Sequence, residues 1–174
     1  VWFSYVDDER DVTRYQGQAF NWIGIDEITQ YPTPYVWNYL RSRIRSTDPK
    51  LGLYMRCTAN PGGVGGWWVR KMYIDQSPPG SAFWAKEFDT QKTIRYPIGH
   101  AKEGQPLFLK KFIPARLTDN PYLAIDGQYE AMLLSLPEVE RKRLLEGDWD
   151  VAEGAAFTEF SRSLHVVESF DPPD

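Results

Sequence analysis

The chain has 174 residues, of which 42% are hydrophobic and 25% are charged. This composition excludes a disordered segment and suits one domain, or one domain plus part of another. The net charge of −4 excludes a global field that attracts nucleic acid, so any DNA contact has to come from local patches. A single cysteine, Cys57, excludes an intrachain disulfide, and no apolar run approaches the roughly 18 residues of a membrane span.

The first half of the sequence predicts two parallel strands joined by a helix. Residues 1–6 have the pattern of a strand, and the apolar run 20–26 predicts a second one. A helix is expected over 35–45, after prolines that suit a first helical turn, and a further strand over 51–58. Strand, helix and strand in this order make a βαβ unit, in which both strands end at the same edge of the sheet.

The second half of the sequence predicts shorter elements. They are an aromatic helix over 67–74, short strands and turns over 77–104, a strand over 108–117, and helices over 125–136 and 137–145. Residues 151–174 have weak periodicity, and we interpret them as a linker that follows a main domain at 1–150. Because the sequence opens with neither an initiator Met nor a signal-peptide layout, we expect a piece of a longer protein that is not secreted.

Two adjacent carboxylates, Asp26 and Glu27, end the apolar strand 20–26. Nucleotide hydrolases use such a pair: one acid holds a hydrated Mg²⁺, and its neighbour polarises the attacking water. The alternative is that the acids, together with Thr29, only cap the following helical turn.

A polar tip follows the next strand of the predicted βαβ unit. Thr58 and Asn60 come directly at its end, and adjacent parallel strands bring such tips side by side. We therefore expect Thr58 and Asn60 beside Asp26 and Glu27, where a polar group can detect the terminal phosphate of a nucleotide. This juxtaposition favours the hydrolase interpretation over the cap.

The phosphate-binding half of such a site is missing from the sequence. A phosphate loop of the form G-x-x-x-x-G-K-[ST] does not occur. The string Asn60-Pro-Gly-Gly-Val-Gly-Gly66 is rich in glycine, but it lacks the Lys-Ser/Thr ending and follows the polar strand. We interpret it as a flexible turn, and we do not expect the chain by itself to bind ATP well.

Basic and aromatic residues give weaker signals. The segment from Arg41 to Arg56, both included, has five basic residues against one acid, which favours either a solvated helix face or an arginine that contacts a phosphate of ATP or DNA. Arg43 and Arg56 are the preferred candidates. For the pair Trp67-Trp68, stacking on bases is possible, but core packing is expected for at least one of them. The adjacent lysines Lys110 and Lys111 are interpreted as surface residues.

The order of these motifs resembles one family, the large subunit of tailed-bacteriophage terminases, the DNA-packaging motor. The similar segments cover nearly the whole chain. They are Tyr15-Gln-Gly-x-x-Phe20 with Ile23-Gly-Ile-Asp-Glu27, Tyr39-Leu-Arg-Ser-Arg-Ile-Arg45, Arg56-Cys-Thr-Ala-Asn-Pro-Gly-Gly63, Trp68-Val-Arg-Lys71, Phe112-Ile-Pro-Ala-Arg-Leu-x-Asp-Asn-Pro-Tyr122, Leu144-Leu-x-Gly-Asp-Trp149 and Gly154-Ala-Ala-Phe157.

The resemblance implies an α/β fold, namely part of a P-loop NTPase of the additional-strand, RecA-like class. It would be a three-layer domain with a mainly parallel sheet, plus a small helical subdomain. Residues 1–150 would then be the carboxyl-terminal part of the ATPase domain, without its phosphate loop. Residues 151–174 would lead toward an RNase H-like nuclease domain that the chain does not contain.

The resemblance also implies an activity, with ATP and Mg²⁺ as cofactors. Asp26 would hold Mg²⁺ through water, and Glu27 would activate the attacking water. Thr58, Ala59 and Asn60 would couple hydrolysis to movement, although this three-residue motif could equally begin at Cys57. The implied partners are double-stranded DNA, the phage portal, the small terminase subunit and further copies in a homo-oligomeric ring. The implied location is the portal of the procapsid in the bacterial cytoplasm, without a membrane.

Two alternatives remain open from the sequence. The strings Asp26-Glu-Ile-Thr29 and Thr58-Ala-Asn60 also resemble the second and third motifs of superfamily-2 helicases, although no arginine-rich Q/H-R-x-G-R motif follows them. The chain could instead be a non-catalytic interaction module that carries relic ATPase strands.

Overall fold

A computed structural model describes residues 1–87, 93–96, 108–124 and 127–151. The chain divides into two compact units, Val1–Ala115 and Arg116–Asp174. This boundary falls inside the segment 1–150 that we interpreted as one domain. Apart from Val151, the predicted linker 151–174 lies outside the described residues.

The first unit combines short helices with two small sheets. Its described elements are a 3-10 helix at Glu9–Tyr15, β1 at Trp22–Ile25, a 3-10 turn at Ile28–Gln30, α1 at Tyr35–Arg41, β2 at Tyr54–Cys57, α2 at Gly66–Val69 continuing as a π-helix at Arg70–Ile74, and β3 at Ala82–Glu87, β4 at Thr93–Tyr96 and β5 at Phe108–Lys111.

The predicted β1–α1–β2 unit is present, and its two strands are parallel. All three elements are shorter than expected. Helix α1 ends at Arg41, where the last turn tightens: the N–H groups of Arg43 and Ile44 donate to carbonyls only three residues earlier, at 2.9 and 3.0 Å, as is common at helix ends. Ile44 then forms an isolated parallel bridge with Phe20, so the segment predicted as a last helical turn pairs with the chain before β1.

Residues 1–6 do not form the strand that we expected. Side chains hold this segment in place of a strand ladder. The hydroxyl of Tyr15 is within hydrogen-bond distance of Ser4 Oγ, at 2.8 Å, and of the carbonyl oxygen of Tyr5, at 3.2 Å. Trp2 stacks on Phe20 with ring centroids 6.3 Å apart. An aromatic pattern that suits a strand therefore serves side-chain packing here.

The second sheet of this unit is antiparallel, with strand order β4-β3-β5. Its last strand, β5, stops at Lys111, well before the predicted end at residue 117. Pro114 follows closely, and its missing N–H prevents a continued ladder. In the described residues the parallel sheet contains only β1 and β2. A three-layer domain with a mainly parallel sheet therefore stays a prediction.

The core of the first unit lies around α1 and α2. The buried apolar side chains of α1 are Val36, Trp37 and Leu40, whose spacing places them on one helical face. Trp68 and Val69 of α2 are also buried. Further buried apolar residues of this unit are Val12, Tyr15, Ile25, Ile28, Met72, Phe83 and Ala85. Burial of these side chains is the main favourable term in folding.

The second unit is helical in its described part. It contains a 3-10 turn at Leu117–Asp119, α3 at Pro121–Ala124, α4 at Gln128–Leu134, and α5 at Glu138–Arg141 continuing as a π-helix at Lys142–Glu146. The two later helices confirm the predicted helix pair, although residues 125–126 lie outside the described part. Gly147 ends the last helix at a φ of 67°, where a glycine meets no steric penalty. Among the described residues, no helix is long and apolar enough to cross a membrane.

Candidate functional site

The candidate site begins where the two parallel strands end. The register pairs Ile25 with Cys57, so the next residues, Asp26 and Thr58, lie side by side. The backbone N–H of Thr58 donates to the carbonyl of Ile25 at 3.0 Å, which continues the ladder by one bond. This geometry agrees with our expectation from the sequence that Thr58 lies beside the two acids.

The side chain of Thr58 connects both acids. Its hydroxyl donates a hydrogen bond to Asp26 Oδ1 and accepts the backbone N–H of Glu27 at 2.9 Å. Its carbonyl accepts the N–H of Ile28 at 3.0 Å. Thr58 therefore contacts three consecutive residues of the turn that follows β1. Cys57, the alternative start of the coupling motif, is still part of β2.

Both acids are exposed, as is Thr58. No ion pair engages Asp26 or Glu27 in the described part of the chain, so both carboxylates face solvent. The cap interpretation also receives no support, because Glu27 precedes the 3-10 turn at Ile28–Gln30 but its side chain makes no capping hydrogen bond to the backbone. Its carboxylate oxygen Oε2 instead accepts a short hydrogen bond from the side-chain amide of Gln30.

Glu27 has a left-handed backbone, with φ and ψ both at 50°. It is the only non-glycine residue with positive φ in the described ranges. This conformation costs an ordinary L-residue roughly 1–2 kcal/mol, and it persists only where the surroundings fix it. Here the hydrogen bonds from Glu27 and Ile28 to Thr58 hold one side, and the N–H of Gln30, which donates to the carbonyl of Glu27 at 2.9 Å, holds the other.

The rest of the predicted coupling motif contacts, through its backbone, the segment 26–32, which follows β1 and carries both acids and which we call the acid turn. The hydroxyl of Thr29 donates to the carbonyl of Asn60 at 3.4 Å. Asn60 is exposed, and Ala59 is half-buried. The structure thus brings Asn60 next to the turn that carries Glu27, as expected, but the contact is made by a main-chain oxygen.

The glycine-rich segment, which we interpreted as a flexible turn, packs against the acid turn. The N–H of Gly65 donates to the carbonyl of Thr29 at 2.8 Å. A Cβ added at Gly65 would lie 2.0 Å from the carbonyl oxygen of Tyr31, and one at Gly63 would lie 2.8 Å from that of Thr29. These glycines allow a close approach of two backbones. The paired glycines on either side of Val64 were a signal for such an approach.

The two tryptophans support the acid turn from the following helix. Trp68 is buried, and its Nε1 donates to the carbonyl of Tyr31 at 2.9 Å. Trp67 is 49% exposed, and its Nε1 donates to the carbonyl of Pro32 at 3.1 Å. The expected core packing of at least one tryptophan is confirmed, and Trp68 is not accessible for stacking on a base.

The two candidate arginines have aromatic neighbours. The guanidinium of Arg43 lies 4.9 Å from the ring centroid of Tyr39, and its Nε donates to Ser42 Oγ at 3.1 Å. The guanidinium of Arg56 lies 5.2 Å from the ring centroid of Tyr54. Because residues two apart in a strand share a face, Arg56 is on the same face of β2 as Tyr54. Neither arginine is bonded to Asp26 or Glu27.

The β1–β2 sheet has one face, the face that carries Trp22 and Tyr54, open to solvent. Trp22 and Tyr54 are 41% and 46% exposed, and their rings stack with centroids 6.3 Å apart. The opposite face of β1 carries the buried Ile25. Parallel sheets in complete α/β domains are covered on both faces, whereas this face is uncovered in the described structure.

Lys110 is buried, so its interpretation as a surface residue was wrong. It is 4% exposed, and its Nζ lies 4.5 Å from the ring centroid of Tyr73 and 5.0 Å from that of Trp37. Burial, together with the nearby charge of Arg41, lowers the pKa of Lys110 to about 7. Its neighbour Lys111 is exposed, as expected.

The residues at the strand ends fit a hydrated Mg²⁺. Asp26 offers an exposed carboxylate, and Thr58 engages only its Oδ1, so Oδ2 is available. Mg²⁺ keeps several waters and binds through one or two carboxylates plus phosphate oxygens. A metal site formed entirely by protein ligands is not observed in the described ranges, because no group of three or more His, Cys, Asp or Glu side chains that could hold a metal occurs there.

Comparison of the chain with protein-family models, curated proteins and solved structures found no match.

Proposed function

We propose that the chain is the part of a large-terminase ATPase that carries the catalytic acids and the coupling motif, in a motor that packages double-stranded DNA. The observation that carries this proposal is the network in which Thr58 joins Asp26 and Glu27 at the exposed ends of two parallel strands. A structural acid pair has no need of solvent exposure, a strained glutamate and a polar contact from the next strand. A hydrolytic site has a use for all three.

The proposed roles follow from the position of each group. Mg²⁺, when bound with ATP, neutralises charge on the phosphates. Asp26 would hold that ion through water with its available oxygen. Glu27, the next residue along the chain, would polarise the attacking water as a general base. Thr58, which is bonded to the carboxylate of Asp26 and to the backbone N–H of Glu27, would keep the two acidic residues beside the same phosphate.

Coupling of ATP hydrolysis to movement would use the contacts between the acid turn and the segments that follow β2. Thr58, Ala59 and Asn60 follow β2 directly, and the chain then enters the glycine segment and α2. The acid turn contacts each of these parts, through Thr58, the carbonyl of Asn60 and the N–H of Gly65. A change at the terminal phosphate would therefore reach α2 through direct hydrogen bonds.

Other parts of the proposed motor lie outside these 174 residues. ATP binding requires a phosphate loop, which the sequence lacks, so another segment or chain has to supply it. Arg43 and Arg56 remain candidates for a contact with a neighbouring subunit's nucleotide or with DNA. The same proposal includes a nuclease domain, with 151–174 as the linker toward it. It also includes the homo-oligomeric ring, the portal and the small terminase subunit as partners, and a location at the procapsid in the bacterial cytoplasm.

The test uses the gene product that contains this chain together with its flanking sequence. We expect a phosphate-loop lysine in that product and ATP hydrolysis that double-stranded DNA stimulates without strand separation. ATP-dependent unwinding of a duplex would favour the helicase-like alternative. Absence of ATP binding would favour the non-catalytic module and overturn the proposal.

A further inference from the structure

Gln30 contacts the proposed general base directly, and no signal in the sequence pointed to it. Its side-chain amide Nε2 donates to Glu27 Oε2, and its backbone N–H donates to the carbonyl of the same residue at 2.9 Å. We propose that Gln30 is a positioning residue, which holds the Glu27 carboxylate through Oε2 and leaves Oε1 for the attacking water. This inference rests on the proposed ATPase function.

The turn that carries Gln30 is fixed on its inner side. Ile28 and Thr29 are buried, while Gln30 and Glu27 are both exposed. The carbonyl of Thr29 accepts the N–H of Gly65, and the N–H of Ile28 reaches Thr58. Gln30 thus has a rigid base, which a positioning residue needs in order to hold another side chain within a fraction of an ångström.

An amide suits this position better than the other long polar side chains. It donates a hydrogen bond to Oε2 without adding charge, so the carboxylate keeps its ability to accept a proton from water. A lysine here would stabilise the ionised acid and weaken it as a base, and a glutamate would repel it. No other hydrogen bond engages Oε1 of Glu27 in the described part of the chain, so the geometry leaves that oxygen for a water.

An exposed glutamine could also be an ordinary solvated side chain that contacts Glu27 only because helical turns bring residues three apart together. The two interpretations differ in their consequences. A solvated glutamine can be replaced without effect on turnover, whereas a positioning residue affects the catalytic step and its pH dependence.

The kinetic test compares Gln30→Leu and Gln30→Glu in the complete gene product. We expect Gln30→Leu to lower kcat roughly 10- to 100-fold with KM for ATP unchanged, which is the effect of losing one hydrogen bond to a charged group in the transition state. Gln30→Glu should move the acid limb of the kcat–pH profile to higher pH, because two neighbouring carboxylates take up a proton more readily than one. Gln16→Leu, at an exposed glutamine away from the acids, is the matched control.

A second measurement does not depend on activity or on a folded leucine variant. In the 174-residue chain, NMR should show the side-chain amide protons of Gln30 shifted from those of free glutamine, and Glu27→Ala should remove that shift. Amide protons that do not respond to Glu27→Ala would overturn the inference. So would a wild-type kcat and pH profile in both Gln30 variants while Glu27→Gln is inactive, a result that leaves the proposed ATPase intact. If Glu27→Gln turns over ATP normally, the proposed function itself fails.

Discussion

Thr58 donates its hydroxyl hydrogen bond to Asp26 across the ends of two parallel strands. The two residues are 32 positions apart in the sequence, and the strand register alone brings them together. The same hydroxyl accepts the backbone N–H of Glu27, so one side chain fixes the position of both acids. An acid pair that is held from a neighbouring strand can respond to movement of that strand, which is what a coupled motor requires.

The first prediction concerns this hydroxyl. Thr58→Val keeps the shape of the side chain but removes both hydrogen bonds, and we expect the free energy of unfolding to fall by about 1 kcal/mol. Thr58→Ser keeps the hydroxyl and should stay within about 0.5 kcal/mol of wild type. Urea unfolding followed by tryptophan fluorescence measures both. Equal stability of the valine and serine variants would show that the hydroxyl bonds contribute nothing.

The second prediction concerns the close approach at Gly65. In Gly65→Ala, the new methyl group would lie 2.0 Å from the carbonyl oxygen of Tyr31, so the glycine segment has to move away from the acid turn. We expect a loss of about 2–3 kcal/mol, as for other overpacked sites. The adjacent Gly66→Ala is the matched control, since a Cβ there meets nothing within 4 Å and alanine favours a helix. Stability that is equal in the two variants would contradict the described packing.

The third prediction follows from the left-handed backbone of Glu27. Asparagine adopts this conformation at lower cost than glutamate, so Glu27→Asn should keep or raise the free energy of unfolding, by up to about 1 kcal/mol. Glu140→Asn, at an exposed position of α5, should instead lower it by a few tenths of a kcal/mol, because asparagine is the poorer helix former. Chemical denaturation of the two variants gives the comparison, and a clear loss of stability in Glu27→Asn would argue against strain at this residue.

The fourth prediction is a pH dependence caused by Lys110. Its pKa is lowered in the folded chain to about 7 from an ordinary value of 10.5, so the unfolded chain binds the proton more tightly. The folded state therefore carries the full cost of the buried charge below pH 7, and this cost declines as the pH rises toward 10.5. Lys110→Met should be more stable than wild type at pH 6, and its advantage should shrink by about 2–3 kcal/mol between pH 6 and pH 9.

The measurement for Lys110 is a series of urea unfolding curves across this pH range, with Lys111→Met as the control at an exposed neighbour. Arg41 and Tyr73 are among the charged or titratable groups that the described part of the chain places beside Lys110. Burial raises the pKa of Tyr73, so Tyr73 stays neutral in the folded chain throughout the range. A stability difference between Lys110→Met and wild type that does not change with pH would contradict the assignment.

Local sequence patterns predicted the part of the site that depends on strand order. An apolar run ending in Asp26 and Glu27, followed after a helix by a strand ending in Thr58, is enough to bring these residues to one sheet edge, because parallel strands end together. The helix pair in the second unit was predictable for a similar reason, since Pro137 and Gly147 are residues that commonly mark helix ends.

Contacts between distant segments were not predictable in this way. Gly65 approaches the carbonyl of Tyr31 only because α2 packs against the acid turn, and Lys110 is buried only because β5 packs against α1 and Tyr73. No local pattern encodes either event. The left-handed backbone of Glu27 likewise depends on the hydrogen bond that its N–H donates to the side chain of Thr58, which is 31 residues away. Residues that act through such contacts, Gln30 included, become visible only in the structure.

The most direct test of the central claim is ATP turnover and ATP binding by Glu27→Gln in the complete gene product. Glutamine keeps the size and shape of the side chain but cannot take a proton from water. We expect nucleotide affinity within about twofold of wild type and turnover reduced by a factor on the order of 10²–10⁴, the contribution of a general base. Unchanged turnover, with the same affinity for ATP, would show that Glu27 does not activate the water and would contradict the account.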